Sequence, residues 1–159
     1  MSKYLIIDTR EKPKAIQGII KTLDAAGIRY DRSKLLFGDY MDYNRPDLVI
    51  DRKQNVAELA KNVTVERSRF VNELERAKAA NARLVILVEQ NRYKYGSEWR
   101  RINSIEDLML WSDPHTSIQG EKVFRTLSAL CYRYNIIVKF CDKRQTGKEI
   151  IEILYGLQR

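Results

Sequence analysis

The sequence predicts an α/β fold, a mixed central sheet with helices on both faces. Short apolar runs of strand character alternate with segments whose apolar residues recur at helical spacing, the order that lays helices over a sheet. Residues Arg83 to Glu89 (RLVILVE) form a continuous, partly β-branched run, as a strand covered on both sides requires. Three of the expected strands also end in an acid, at Asp8, Asp51 and Glu89, and Asp39 opens a further one. Parallel strands deliver such ends to one edge of the sheet, where open α/β sheets place their sites.

The elements follow in order. Lys3 to Asp8 (KYLIID) suits a buried strand. Pro13 suits a helix start, and Ile16, Ile19, Ile20 and Leu23 continue it to Gly27, the expected C′ residue. Ile28 to Leu36 returns as strand. Gly38-Asp39-Tyr40 and Val49 to Lys53 then form a hairpin around Asn44-Arg45-Pro46-Asp47. Asn55 to Asn62 suits a short helix. Thr64 is the expected N-cap of a longer one that reaches Ala80 on the stripe Phe70, Leu74 and Ala77. Residues 90–101 (QNRYKYGSEWRR) read as a basic, aromatic loop. Ser104 caps a short helix to Trp111, a second long helix runs from Ile118 to Tyr134, and Ile136 to Cys141 is the last strand. A final helix opens at Thr146 or Gly147 and reaches Leu157.

Composition narrows the function classes. A chain of 159 residues with 44% hydrophobic and 31% charged residues suits one folded domain, here 1–159, without repeats or linkers. No apolar run approaches membrane-spanning length and no secretory signal opens the chain, so a cytoplasmic protein is expected. Cys131 and Cys141 read as buried thiols. One histidine and no CxxC argue against zinc, so any metal would take oxygen ligands. The net charge of +8 favours a nucleic-acid partner, with a solubilising surface as the alternative.

The chemistry concentrates in the hairpin. Strand alternation puts Asp51 and Lys53 on one face with Arg52 pointing away, and antiparallel pairing brings Asp39 to the same end. Two carboxylates and an ammonium converge there. Read alone, that set suits a solvated charge cluster as well as a site, because close carboxylates resist joint ionisation unless a cation lies between them.

Three linked motifs decide the reading. Ile7-Asp8-Thr9-Arg10-Glu11, Gly38-Asp39-Tyr40 and Ile50-Asp51-Arg52-Lys53 resemble, in order and spacing, the V-x-D-x-R-E, G-D and E-R-K-x-x-x-D elements of the XPF-type (excision-repair) nuclease domain. Arg69-Phe70 with Glu73-Leu74 resembles the segment that follows, and the likeness is strong through Gln90. Two positions depart from the pattern. Asp51 stands for the usual glutamate, and the last acid falls on Ala57, with Glu58 beside it as a substitute one residue on.

The resemblance implies a restriction-endonuclease-like core with a D…(D/E)-x-K metal site. It implies a Mg2+-dependent endonuclease, with Mn2+ able to substitute, that cuts branched DNA such as a 3′ flap, fork or Holliday junction. Asp39 and Asp51 would hold the metal, with the Arg52 carbonyl and a water-bridged Asp8. Lys53 is assigned as electrostatic stabiliser rather than base, because neighbouring carboxylates keep it charged. Arg10 would contact phosphate, and Glu11 would order Arg10 or Lys53. Arg67, Arg69, Arg92, Lys94, Arg100 and Arg101 are the expected DNA contacts, although Arg69 with Glu73 also suits an i,i+4 pair and the 92–101 loop also suits plain solvation. Glu89 is the weakest member of the set and reads more readily as a structural or solvated strand terminus than as a site residue, and His115 reads as incidental.

Enzymes of this type usually attach a tandem helix-hairpin-helix domain, and none is read here. Recognition would then rest on the nuclease domain, a homodimer formed through the apolar last helix (Ile150, Ile151, Ile153, Leu154, Leu157), or a replication or recombination partner. The alternative is a non-catalytic DNA-binding subunit that targets another nuclease. The intact Asp39, Asp51 and Lys53 set favours the enzyme.

Overall fold

The computed structural model describes residues 2–156. Six strands form one mixed sheet in the order β2 (Arg29–Arg32), β1 (Tyr4–Ile7), β3 (Tyr40–Asp42), β4 (Arg45–Lys53), β5 (Arg83–Val88) and β8 (Ile137–Phe140). β1 and β2 are parallel, β3 runs antiparallel to both β1 and β4, and β4, β5 and β8 are parallel. β3 and β4 make the expected hairpin, with Tyr40 opposite Ile50, although its turn is only Tyr43-Asn44.

Helices cover both faces, as the alternation requires. α1 (Gln17–Ala25) and α5 (Thr146–Tyr155) pack Ile19, Leu23, Ile150 and Leu154 on Leu5, Ile7, Ile50 and Leu87. α2 (Val56–Val63), α3 (Arg67–Ala79) and α4 (Gly120–Tyr134) pack Leu59, Phe70, Leu74, Val123 and Leu127 on Val49, Leu84, Ile86 and Val88. β4 and β5 thus contribute to both cores through alternate residues. Burying one leucine or isoleucine side chain is worth about 1.5–3 kcal/mol, so the two cores account for the bulk of the fold's stabilisation.

Several boundaries differ from expectation for identifiable reasons. α1 starts at Gln17 because residues 12–16 form turns, with the Ile16 N–H donating to the Pro13 carbonyl. Gly27 closes it in the left-handed conformation (φ 68°), as expected. Ile28 to Leu36 yields only the four-residue β2. Thr64 caps the end of α2, not the start of α3, and its hydroxyl donates to the Ala60 carbonyl at 2.7 Å. Residues 92–101 form a hairpin, β6 (Arg92–Tyr95) with β7 (Glu98–Arg101), where a plain loop was expected. The turn is Gly96-Ser97 with Gly96 at φ 63°. Ser104 and Asp107 make a capping box on a 3-10 turn (Ile105–Leu108). α5 is described to Tyr155, and Leu157 lies outside the described residues.

Candidate active site

The end of β4 sets the geometry. The Asp39 N–H donates to the Ile50 carbonyl at 2.7 Å, and the Arg52 N–H donates back to Asp39 Oδ2 at 2.8 Å. This exchange fixes the Asp39 carboxylate against the strand that carries Asp51 and Lys53. Gly38 makes the approach possible. It sits at φ 72°, and a Cβ there would lie 2.4 Å from Val49 Cγ1, so a side chain is excluded twice over.

Asp51 is only 4% exposed, and its Oδ2 has no hydrogen-bond partner. The Lys53 ammonium lies 3.3 Å from that oxygen, in ion-pair contact without hydrogen-bond geometry. Lys53 is 9% exposed and its Nζ stands 5.5 Å from the Phe70 ring centroid, on the α3 side of the sheet. Asp39, Asp51, Lys53, Arg10 and Glu11 line one open cavity of about 290 Å3.

A third carboxylate enters from α3. Glu73 accepts the Gly38 N–H at 2.9 Å, and burial together with the charge of Asp51 pushes its carboxyl up to about 7. Burial, then Asp51 and then Glu11 raise Asp39 well above the usual carboxylate range, against the opposing pull of the Arg52 N–H. For Lys53, burial works downward, but Asp51, Glu73, Glu58 and Asp39 outweigh it and the net shift is upward. Lys53 is therefore held as an ammonium, as the stabiliser assignment requires.

This donor set suits a hard divalent cation. It offers oxygen ligands only, one of them buried and unpartnered, and mutually repelling carboxylates that a cation would relieve. Among the described residues no three His, Cys, Asp or Glu side chains form a ready-made cage. Mg2+ does not need one, since it typically binds through one or two carboxylates plus waters and phosphate oxygens.

The remaining expected site residues take varied positions. Asp8 is fully buried and does not line the cavity. Its carboxylate accepts Arg10 Nε at 2.7 Å, the Leu35 N–H at 2.8 Å and the Arg10 N–H at 3.1 Å. Burial pushes its carboxyl up, but these donors prevail and hold it below its ordinary value. Asp8 thus anchors Arg10 instead of facing the place expected for metal. Arg10, so tethered, keeps a 62% exposed side chain at the cavity mouth.

Glu11 orders neither Arg10 nor Lys53. It grips Arg52 bidentately, with Nε to Oε1 at 2.7 Å and Nη2 to Oε2 at 3.0 Å. Arg52 is 8% exposed and also donates to Glu89, which in turn accepts the Thr146 hydroxyl at 2.6 Å. Glu89 is therefore a buried structural strand terminus. Glu58 lines the cavity, yet its carboxylate accepts the Gln54 N–H at 3.1 Å while its own N–H is capped by Asn55. Its immediate work is to cap α2. Arg69 pairs with Glu66 at 3.7 Å, not with Glu73. Arg67, Arg69, Arg92, Lys94, Arg100 and Arg101 are all exposed.

Glu73 is the residue missing from the sequence-based site. It lies three positions after Phe70 and next to Leu74, so helical spacing sets it at the edge of the buried stripe, and that was the available signal.

Comparison with known proteins agrees with this fold. Residues 7–154 match the model of the ERCC4 domain. The fold is similar to XPF from Aeropyrum pernix, with TM-score 0.64 and 16% identity over 94% of this chain. It is similar also to XPF from Aeropyrum pernix in complex with DNA, with TM-score 0.66 and 17% identity over 95% of this chain. The chain spans 62% of the length of either structure. No curated protein sequence matches it. With the family model covering nearly the whole chain, the chain belongs to the ERCC4 domain family, a family of structure-specific DNA nucleases.

Proposed function

We propose that this chain is a Mg2+-dependent endonuclease that hydrolyses phosphodiester bonds in branched DNA. The observation that carries the reading is the end of β4, where a buried, unpartnered Asp51 oxygen faces a protonated Lys53 beside Asp39. Asp39 and Asp51 would hold the cation. When bound there, it would make a coordinated water more acidic and offset charge on the scissile phosphate, and Mn2+ would substitute.

The chain's own groups supply the rest. Lys53, kept cationic by its carboxylate neighbours, stabilises negative charge as it builds on the phosphoryl oxygens. Arg10, held by Asp8, offers a guanidinium to a phosphate at the cavity mouth. The Arg52 side chain takes no part in the chemistry, and its bonds to Glu11 and Glu89 hold the end of β4 rigid. The exposed cations on α3 and on the β6–β7 hairpin supply phosphate contacts away from the cut.

The same reading extends to a homodimer in the bacterial or phage-infected cytoplasm, working with a replication or recombination partner. Ile151 and Ile153 on α5 remain partly exposed and would supply apolar contact to a second copy.

The test is cleavage of labelled duplex, flap, fork and four-way junction in Mg2+ and in Mn2+. Branched substrates should be cut in preference to duplex. Asp39→Asn, Asp51→Asn and Lys53→Ala should each abolish cutting and retain DNA binding. Failure to cut any substrate, with binding retained, would assign the chain instead to a non-catalytic DNA-binding subunit.

A further inference from the structure

A second cleft lies beside the first. Its lining is largely apolar and includes Tyr93, Trp99 and Trp111, with Lys94 at its rim, in a volume of about 340 Å3. Tyr93 and Trp111 are buried and packed into the core, so their part of the lining is fixed. Trp99 is different, being 56% exposed on a surface where most large apolar side chains are covered.

Cations gather around that exposed ring. The Arg92 guanidinium lies 4.6 Å and the Lys94 ammonium 5.3 Å from its centroid. In the hairpin register Lys94 stands opposite Trp99 and Arg92 opposite Arg101, so all four side chains share one hairpin face. An exposed aromatic ring with cations over it complements a ligand that has a π-face on an anionic backbone. The acid that also lines the cleft, Asp113, accepts the His115 N–H at 3.3 Å.

The position of the cleft identifies which ligand. Gln54 and Glu58 line the active-site cavity, whereas Asn55 and Ala57 line this one. The two openings therefore flank a single strand-to-helix turn. That turn is rigid, with Asn55 capping α2 and Gln90 Oε1 accepting the Val56 N–H at 2.9 Å. A strand whose scissile phosphate lies over the Asp39 and Asp51 site would bring a neighbouring nucleotide toward the second cleft.

We propose that this aromatic cleft takes an unpaired nucleobase of the DNA strand engaged at the active site, stacked on Trp99, and that it selects DNA with single-stranded character next to the cut. The proposal rests on the nuclease reading and names a subsite for it. A base inside a duplex would first have to be extracted at a cost of a few kcal/mol, whereas one at a fork or flap is already free. That difference is the source of selectivity.

Binding to a labelled fork and to fully paired duplex, measured without divalent metal so that nothing is cut, tests it on the full chain. A fluorescent adenine analogue at each unpaired position near the junction reports stacking. The expected result is quenching at one such position in the wild type. Trp99→Ala should remove the quenching and raise the fork dissociation constant by about 10-fold, the scale of one base–aromatic stack, with a much smaller effect on duplex. Trp99→Phe should restore most of both signals. Equal weakening of fork and duplex, or quenching that persists in Trp99→Ala, overturns the subsite. The two readings fail separately. A wild type that distinguishes fork from duplex through Trp99 but cuts nothing in Mg2+ or Mn2+ keeps the subsite and loses the nuclease. One that cuts forks while Trp99→Ala binds them normally does the reverse.

Discussion

Two faces of one strand end behave in opposite ways. Arg52 points toward the α1 and α5 side, where Glu11 and Glu89 meet its guanidinium and Thr146 at the start of α5 completes the chain of bonds. Asp51 and Lys53 point toward α2 and α3, where Asp51 repels both Asp39 and Glu73 and one Asp51 oxygen has the Lys53 ammonium near it but no hydrogen bond. Burial is nearly the same, at 8% exposure for Arg52 and 4% for Asp51. Satisfaction is what differs. A saturated network fixes backbone position, while an unsatisfied one leaves repulsion that an added cation would relieve. The alternation of side chains along a strand lets adjacent residues perform both tasks.

Breaking the saturated face should have the largest effect. Arg52→Ala strands two buried carboxylates, and we expect a loss of roughly 3–5 kcal/mol of unfolding free energy in urea titration. Arg52→Lys should recover only part of it, because an ammonium cannot reproduce the two-pronged bond to Glu11.

The unsatisfied face should respond in the other direction. Asp51→Asn removes one of the repelling charges, so stability should hold or rise by up to about 1 kcal/mol while cleavage disappears. A loss of stability comparable with that of Arg52→Ala would show that the two faces are not distinct.

The pH dependence sharpens the contrast. Glu73 is raised from its ordinary 4.5 to about 7 in the folded chain, and Asp39 shifts the same way. The folded state then holds protons that the unfolded state has released, so its contribution to stability is full below pH 4.5 and is lost as pH rises toward 7. Metal-free thermal melts should show that decline, Glu73→Gln should flatten it, and added Mg2+ should stabilise more at pH 8 than at pH 5.5. A melt insensitive to pH over this range would contradict the crowding of carboxylates.

The smallest stability effect belongs to the surface. Arg69→Ala removes a 3.7 Å ion pair with Glu66 and should change stability by less than about 0.5 kcal/mol, while lowering the salt dependence of DNA binding.

Much of this contrast was legible in the residues themselves. A period of two separates Asp51 and Lys53 from Arg52, and Gly38 before Asp39 marks a backbone that must pass close to its neighbour. Partners set by tertiary packing were not legible. Glu11 lies 41 residues from Arg52, and only the crossing of β1 and β4 through β3 brings them together. Glu73 enters through the docking of α3, which its own helix period does not specify. The β6–β7 hairpin was legible in part, since Tyr-Gly-Ser between alternating residues is a turn signal, but the weight of charge in that stretch suggested a loop.

One purified variant tests the central claim most directly. Asp51→Asn, measured for both its urea unfolding midpoint and its rate of fork cleavage in Mg2+, should keep or raise the midpoint while the rate falls by a factor of about 10²–10³ or more. Fork cleavage at the wild-type rate would contradict the account, since it would remove Asp51 from the chemistry that the unsatisfied face of β4 is proposed to serve.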